Sequence, residues 1–287
     1  MTNLVQFPGL GLSFELDRVA FSIGGMNIYW YGVCIAVGMC LALVFAFRHS
    51  VEFGVDADAM VDVILIGVVM GILCARLYYV ALSPYQYHSL KDVLAIRDGG
   101  LAIYGGIIGG VLTAIVYCKR KGVNFWLLAD TIAPCLAFGQ MLGRWGNFFN
   151  REAFGGFTNG LLAMRLQVSQ VRTSDISAEV MQHIVNYGGV DYIQVHPTFL
   201  YESLWNLCLF LLLIKFRPKK KFDGQVLGLY FLGYALGRVW IEGLRTDQLM
   251  FGPFAVSQLL SGGLIICAAI FLIRKGRQEK AKKESES

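Results

Sequence analysis

The sequence predicts an all-α polytopic membrane protein: about seven transmembrane helices, a small external head and an N-terminal interfacial arm. Three observations carry that prediction. Of 287 residues, 56% are hydrophobic and 16% charged, whereas an ordinary soluble domain is about 25% charged. Apolar runs of roughly 18 residues or more recur, the length a helix needs to cross a bilayer. The Lys and Arg residues gather in a few short connections. A soluble chain this apolar would need a core larger than its length can enclose. The expected organisation is a single integral membrane domain over 1–287. Within it, 1–24 is an external interfacial arm, 147–198 an external head insertion and 276–287 a charged cytoplasmic tail.

Taken from the N-terminus, the first 25 residues contain Pro8, Glu15, Asp17, Arg18 and several glycines. They lack the continuous apolar stretch of a cleavable signal peptide, so the first span is expected to act as its own insertion signal. Seven apolar segments follow, at about 27–47, 60–82, 101–118, 125–143, 199–216, 226–244 and 254–273. Segment 101–118 is weakened by its glycines, and segment 125–143 by Asp130 and Pro134. Glycines four apart, Gly105 with Gly109 and Gly106 with Gly110, allow close helix–helix approach in lipid. A phosphate loop is the less favoured reading of them, because no GxxxxGK[ST] follows. The stretch 147–198 has mixed polarity and reads as a head with some strand and a short helix. The seven cysteines lie in or beside apolar segments and form no CxxC. That is the pattern of small buried hydrophobes rather than of a disulfide framework.

Basic residues set the orientation. With the N-terminus outside, the cytoplasmic connections are 48–59, 119–124, 217–225 and the tail from 274, so the C-terminus is cytoplasmic. Most of the 25 Lys and Arg lie there, and KRKG and KFRPKKK supply much of the bias. Topology thus explains the net charge of +5, and no nucleic-acid partner is expected. Elsewhere the basic residues are Arg18, Arg76, Arg97, Arg144, Arg151, Arg165, Arg172, Arg238 and Arg245, with Lys91 the one lysine. Arg presents a planar fork suited to phosphate or carboxylate, a choice that topology does not require.

Polar residues cluster where spans reach the outer side. GRWGNFFN, 143–150, ends the fourth span in Arg144, Asn147 and Asn150, with Glu152 following. An Arg in a spanning helix costs about 2.5–3.5 kcal/mol at the centre and less near the interface. Arg144 therefore needs an anionic partner, unless it simply snorkels at the boundary. The sixth span reads YFLGYALGRVWIEGLRTDQL, with Tyr234, Arg238, Glu242 and Arg245. Arg238 and Glu242 have ordinary helical ion-pair spacing, which leaves Arg245 and Arg144 without an evident partner. Convergent guanidinium groups at one depth suggest an anion that itself lies in the membrane, a phospholipid headgroup. HPTFLYES, 196–203, opens the fifth span with His196, Tyr201 and Glu202; a His before Pro at a helix start is more often interfacial than catalytic. IRDGGLAIYGG, 96–106, opens the third span and places Tyr104 among glycines. IYWYG, 28–32, puts Tyr29, Trp30 and Tyr31 at the edge of the first span, where an aromatic belt accounts for them.

These stretches together resemble the bacterial prolipoprotein diacylglyceryl transferases. The family pattern looks like G-R-x-G-N-F-x-N-x-E-x-x-G, matched here by Gly143, Arg144, Gly146, Asn147, Phe148, Asn150, Glu152 and Gly155. HPTFLYE, the YWYG patch, the DGG…GG turn and the GR…E..R pattern also match, in order. The resemblance implies a seven-span enzyme of the bacterial inner membrane, its head periplasmic or extracellular and its active site toward the outer leaflet. Such an enzyme moves diacylglyceryl from phosphatidylglycerol to the lipobox cysteine of a preprolipoprotein signal peptide. It leaves a thioether and releases glycerol phosphate. The family often has His at the position of Tyr104, and a Tyr with pKa near 10 is a poor base at neutral pH. A base is dispensable if the thiol, pKa about 8.5, supplies its own thiolate.

The expected chemistry is displacement at the glyceryl carbon bearing the phosphate, with charge building on the leaving phosphate. The catalytic candidates are Arg144, Arg238 and Tyr104. The substrate-binding candidates are Tyr31, Asn147, Asn150, Glu152, Gly155, His196, Glu202, Tyr234, Glu242 and Arg245. No cofactor or metal is expected, because the arginines supply the electrophilic assistance. The partners are phosphatidylglycerol, lipobox signal peptides and the lipid bilayer. Two other classes compete. A transporter or lipid-binding protein would favour inverted repeats, and none is convincing. A headgroup phosphotransferase would need paired Asp for metal; Asp56, Asp58 and Asp62 lie by a cytoplasmic loop and read as a solvated helix start.

Overall fold

Apolar segments fold as helices because backbone surrounded by hydrocarbon must satisfy its own hydrogen bonds. The computed structural model describes residues 3–85, 87, 89–96 and 99–286. Arg97 and Asp98 of the IRDGG stretch, Met1 and Thr2 of the arm, and Ser287 of the tail lie outside the described residues. The chain opens with strands β1 (Leu4–Phe7), β2 (Leu12–Glu15), β3 (Val19–Ile23) and β4 (Met26–Tyr29). Helices α1 (Trp30–Ser50), α2 (Ala57–Leu82), α3 (Leu90–Val93), α4 (Ile103–Lys121) and α5 (Phe125–Asn150) follow. Next come β5 (Met164–Gln167), α6 (Ala178–Gln182), β6 (Val185–Tyr187) and β7 (Val190–Val195). The chain closes with α7 (Thr198–Phe216), α8 (Gln225–Glu242), β8 (Met250–Phe251), β9 (Phe254–Ala255) and α9 (Val256–Glu286).

Each of the seven apolar segments becomes a long helix. Among the described residues, five stretches are long and apolar enough to cross a membrane: Trp30–Phe53, Ala57–Leu82, Phe125–Asn150, Thr198–Lys219 and Val256–Ser285. The two helices outside that set are α4, diluted by glycine, and α8, which carries Arg238 and Glu242. The expectation of an all-α chain is corrected. A five-stranded antiparallel sheet of order β2-β1-β5-β7-β6 and two hairpins, β3–β4 and β8–β9, accompany the helices. Strand was expected in 147–198, where β5, β6 and β7 lie; the strands before α1 and after α8 are two to five residues long, too short to register in a hydropathy reading dominated by spans.

By packing, the chain divides into two units, Met1–Ala42 with Ala133–Ser287, and Leu43–Ile132. In the first, β1 of the N-terminal segment pairs with β5 of the 147–198 segment, Val5 opposite Leu166. Arm and head thus share one sheet. Val5 and Phe7 alternate inward along β1 and pack with Phe154, Leu166, Ile193 and Val195. Phe148 from the last turn of α5 and Phe199 from the first turn of α7 enter the same core, their rings stacked at 4.6 Å. This core seats the sheet on the ends of two helices. A second cluster, Ala133, Ala137, Leu209, Leu213, Val226 and Tyr230, joins α5, α7 and α8.

In the unit Leu43–Ile132, α4 lies against α2 through part of its glycine face. A Cβ on Gly105 would fall within 2.9 Å of Ala75 Cα, and one on Gly109 within 2.8 Å of the Met70 carbonyl. Gly110 faces open space and Gly106 meets only ordinary contacts, so one of the two glycine pairs read from the sequence is a packing requirement. Arg76 of α2 is buried, and among the described residues its hydrogen-bond partners are backbone carbonyls. It donates to the carbonyls of Asp92 (2.8 Å), Val93 (2.8 Å) and Gly99 (2.7 Å), tying the 89–100 connection to the helix. Asp56 caps α2 by accepting from the Ala59 amide at 3.0 Å, and Asp62 accepts from Tyr117 at 2.9 Å. Tyr104 occupies the first turn of α4, half-exposed.

Candidate active site

Most of the candidate residues fall in the unit Met1–Ala42 with Ala133–Ser287, where three chain segments meet. α5 ends at Asn150 and the chain turns sharply, Arg151 and Ala153 both taking φ of 55°. The next residues run between the entry to α7 and the exit from α8. Gly155 donates to the His196 carbonyl at 2.9 Å, and Gly156 to the Leu244 carbonyl at 2.9 Å. A Cβ on Gly155 would lie 2.7 Å from the Leu244 carbonyl oxygen and 2.8 Å from His196 Cβ. Only glycine fits that crossing. Gly146 has a comparable reason: a Cβ there would meet the Tyr31 ring at 2.7 Å, so its absence lets Tyr31 of α1 lie on α5. Gly143 faces open space, and nothing in the structure explains a glycine there.

Around this junction the side chains form one alternating network. Glu202, in the first turns of α7, is 5% exposed. One of its oxygens pairs with Arg144 Nε from α5 and the other with Arg238 Nη1 from α8. Arg238 Nη2 lies 2.6 Å from Glu242, one turn on. Arg245 Nη1 lies 3.9 Å from the same carboxylate and its guanidinium grips Asp247 by two bonds, 2.9 and 2.7 Å. In the other direction Arg144 Nη1 reaches Asn147 Oδ1 at 3.4 Å. Asn147 and Asn150 both donate to Glu152 Oε1, at 3.0 and 3.2 Å. Arg172 approaches Glu152 Oε2 at 3.9 Å.

The arginines that lacked an evident partner in the sequence therefore have one. Arg144 meets Glu202, and Arg245 meets Asp247 and Glu242. Glu202, a substrate-binding candidate from the sequence, is shared by Arg144 and Arg238. Glu202 is buried, so removing it would leave two guanidinium groups without that partner, which is costly.

A model of the prolipoprotein diacylglyceryl transferase family matches residues 18–274. The chain belongs to that family. Its relatives agree. The chain is similar to the phosphatidylglycerol–prolipoprotein diacylglyceryl transferase of Bacillus cereus (strain 03BB102), 41% identical over 280 residues, 96% of this chain and 97% of the relative. It is equally similar to the enzyme of that name from Bacillus thuringiensis subsp. konkukian (strain 97-27). The one from Bacillus mycoides (strain KBAB4) is 40% identical over 281 residues, with the same coverage. The resemblance carried by GRWGNFFNREAFGG and HPTFLYE is thus a membership.

Within this family member, the other candidates are placed as follows. His196 precedes α7 with Nδ1 3.2 Å from the Tyr201 hydroxyl; burial pushes its pKa below the usual value. Tyr234 stacks on Tyr230 at 6.0 Å, one turn before Arg238. Tyr31 lines a cavity of about 450 Å³ with Asn150 and Glu152. Sequence reasoning leaves out Asp247 and Trp205. Asp247 stands two residues after Arg245 and was legible as a partner. Trp205 was not: its indole donates to the Gly233 carbonyl at 2.9 Å and fills the space where a Gly237 side chain would stand. The seven cysteines are all free thiols.

Proposed function

We propose that this protein transfers the diacylglyceryl group of phosphatidylglycerol to the lipobox cysteine thiol of preprolipoproteins, the first step of lipoprotein maturation. Family membership and the names of its relatives support the reaction. The observation that carries the chemistry is the sharing of buried Glu202 by Arg144 and Arg238. A carboxylate that holds both guanidinium groups keeps them in place before any lipid arrives, and preorganised charge is what stabilises a transition state. Arg144 pairs with Glu202 through Nε. Its Nη1 contact with the neutral Asn147 amide is long, and a phosphate oxygen makes a stronger, charge-assisted bond.

In this reading the substrate thiolate attacks the glyceryl carbon next to the phosphate. A carbon–sulfur bond forms, the carbon–oxygen bond breaks, and the electron pair leaves on the phosphate oxygen with its glycerol. The thiol proton goes to solvent or to a nearby group. Arg144 and Arg238 face the charge that develops. Glu242, held by Arg245, orients Arg238; Asn147, Asn150, Glu152 and Tyr31 shape the headgroup pocket; Gly155, His196 and Tyr234 form its walls. Tyr104 is a further candidate through its place in GGLAIYGG, as a hydroxyl donor rather than a base. Seven spans, an external N-terminus and sheet, and a cytoplasmic C-terminus put these residues at the outer leaflet of the inner membrane.

The test is incubation of the purified protein with phosphatidylglycerol and a lipobox peptide. The expected product is a peptide heavier by one diacylglyceryl group, with release of glycerol phosphate. A Cys→Ser peptide should gain nothing. No mass gain on the cysteine peptide would refute the reading.

A further inference from the structure

We infer that the cavity bounded by Arg18, Arg151 and Arg172 is a holding site for the water-soluble phosphate monoester that the reaction releases. The inference rests on the transferase reading above. The cavity, about 450 Å³, shares Tyr31, Asn150 and Glu152 with the proposed headgroup pocket, and Glu152 joins it to Arg144 through Asn147. Its positive charge is under-compensated. Arg151 is 2% exposed and donates only to the carbonyls of Leu16 and Asn3. Arg18 donates to the Gln170 carbonyl at 2.7 Å. Among the described residues neither forms an ion pair. Arg172, its side chain 73% exposed, has only the 3.9 Å approach to Glu152. The nearby acids are Glu152, already bonded by two amides, and Asp17, which accepts from the Val19 amide at 3.0 Å. A buried guanidinium without a carboxylate is costly, and an anion beside it offsets that cost.

The chemistry selects which anion. The lipid diester carries one negative charge and two acyl chains that need apolar surroundings. Once the carbon–sulfur bond forms and the carbon–oxygen pair leaves on phosphate, the product is a monoester of charge about −1.5 to −2 at pH 7. It has no apolar tail. The added charge favours a cavity lined by Arg18, Arg151 and Arg172 over the site at Arg144, whose arginines are already paired with carboxylates. Glu152 links the two places through Asn147, and its loose contact with Arg172 leaves that guanidinium available to an incoming dianion.

The test uses the full-length protein in nanodiscs free of phosphatidylglycerol, titrated by calorimetry with glycerol phosphate and separately with inorganic phosphate. Turnover is then measured with added glycerol phosphate. Arg172→Gln should weaken glycerol phosphate binding about tenfold, the loss of one charge-assisted bond. It should raise the inhibition constant by the same factor, while KM for phosphatidylglycerol stays within about twofold. Arg18→Gln should act the same way. A parallel rise in KM would give the cavity to the lipid headgroup, and equal affinity for inorganic phosphate would make it a general anion site; either overturns the inference. So does binding insensitive to Arg172 in a protein that transfers lipid, an outcome that leaves the transferase reading intact. A wild type that transfers nothing removes that reading instead.

Discussion

At the scale of single residues, what matters is how many partners each charge has. Arg144 and Arg238 share the Glu202 carboxylate, and Arg238 has Glu242 as a second partner. Replacing either by Lys keeps the charge but loses the planar fork. Turnover of phosphatidylglycerol and a lipobox peptide should fall about a hundredfold or more in Arg144→Lys and in Arg238→Lys. A near-normal rate in either variant would take that residue out of the bidentate role. Glu202→Gln leaves two guanidinium groups facing an amide. Breaking a buried pair costs about 3–5 kcal/mol, so a lowered unfolding midpoint should accompany a drop in rate. A rate loss without a stability loss would point to direct substrate contact instead. His196 makes a pH statement. Burial lowers its folded pKa, so the unfolded chain binds the extra proton first, near pH 6.5. The neutral ring's contribution is whole above that pH and falls as pH drops through the unfolded value toward the folded one. In thermal melts His196→Gln should flatten this acid-side slope; an unchanged slope assigns it to other groups.

At the scale of elements, glycines decide how closely helices approach. Gly105 and Gly109 lie against the α2 backbone, whereas Gly110 meets nothing. Gly105→Ala should destabilise by about 1–3 kcal/mol through overpacking, while Gly110→Ala should stay within about 0.5 kcal/mol. Thermal unfolding of the two variants side by side checks this, and equal shifts would contradict the packing assignment. On α8, Gly233 and Gly237 receive Leu209 and Trp205 of α7, which brings Glu202 to Arg238. Spacing four apart was readable in both helices. Which glycine of a series faces a neighbour was not, because helical rotation is set by the partner's side chains. The strands illustrate a second limit. Alternation in β1 is only four residues long, and its meaning depends on β5, far along the chain.

For the whole molecule, membrane class and family were legible from the start. Hydrophobic length is a local property, and the partition of a helix into lipid follows from it. The order of the motifs along the chain was likewise enough to name the family that the comparison then showed. Orientation is a prediction at this scale. Reporter fusions or cysteine labelling should place KRKG, 119–122, and the tail inside, with the sheet outside; inside labelling of the sheet would invert the proposed topology. The candidate site divides differently. Residue types and their positions at span ends were visible as a string: Arg144, Glu202, Arg238 and Glu242 stood out because charge in an apolar run is expensive. Their pairing was not visible. Arg238 was read with Glu242 alone, four residues away, while its second partner sits on α7. Arg144 was read as open to a lipid and is held by that same carboxylate. Sequence spacing reports neighbours within a helix, since the backbone enforces them. Neighbours across helices arise from how α5, α7 and α8 pack, and that packing is a property of the folded chain alone.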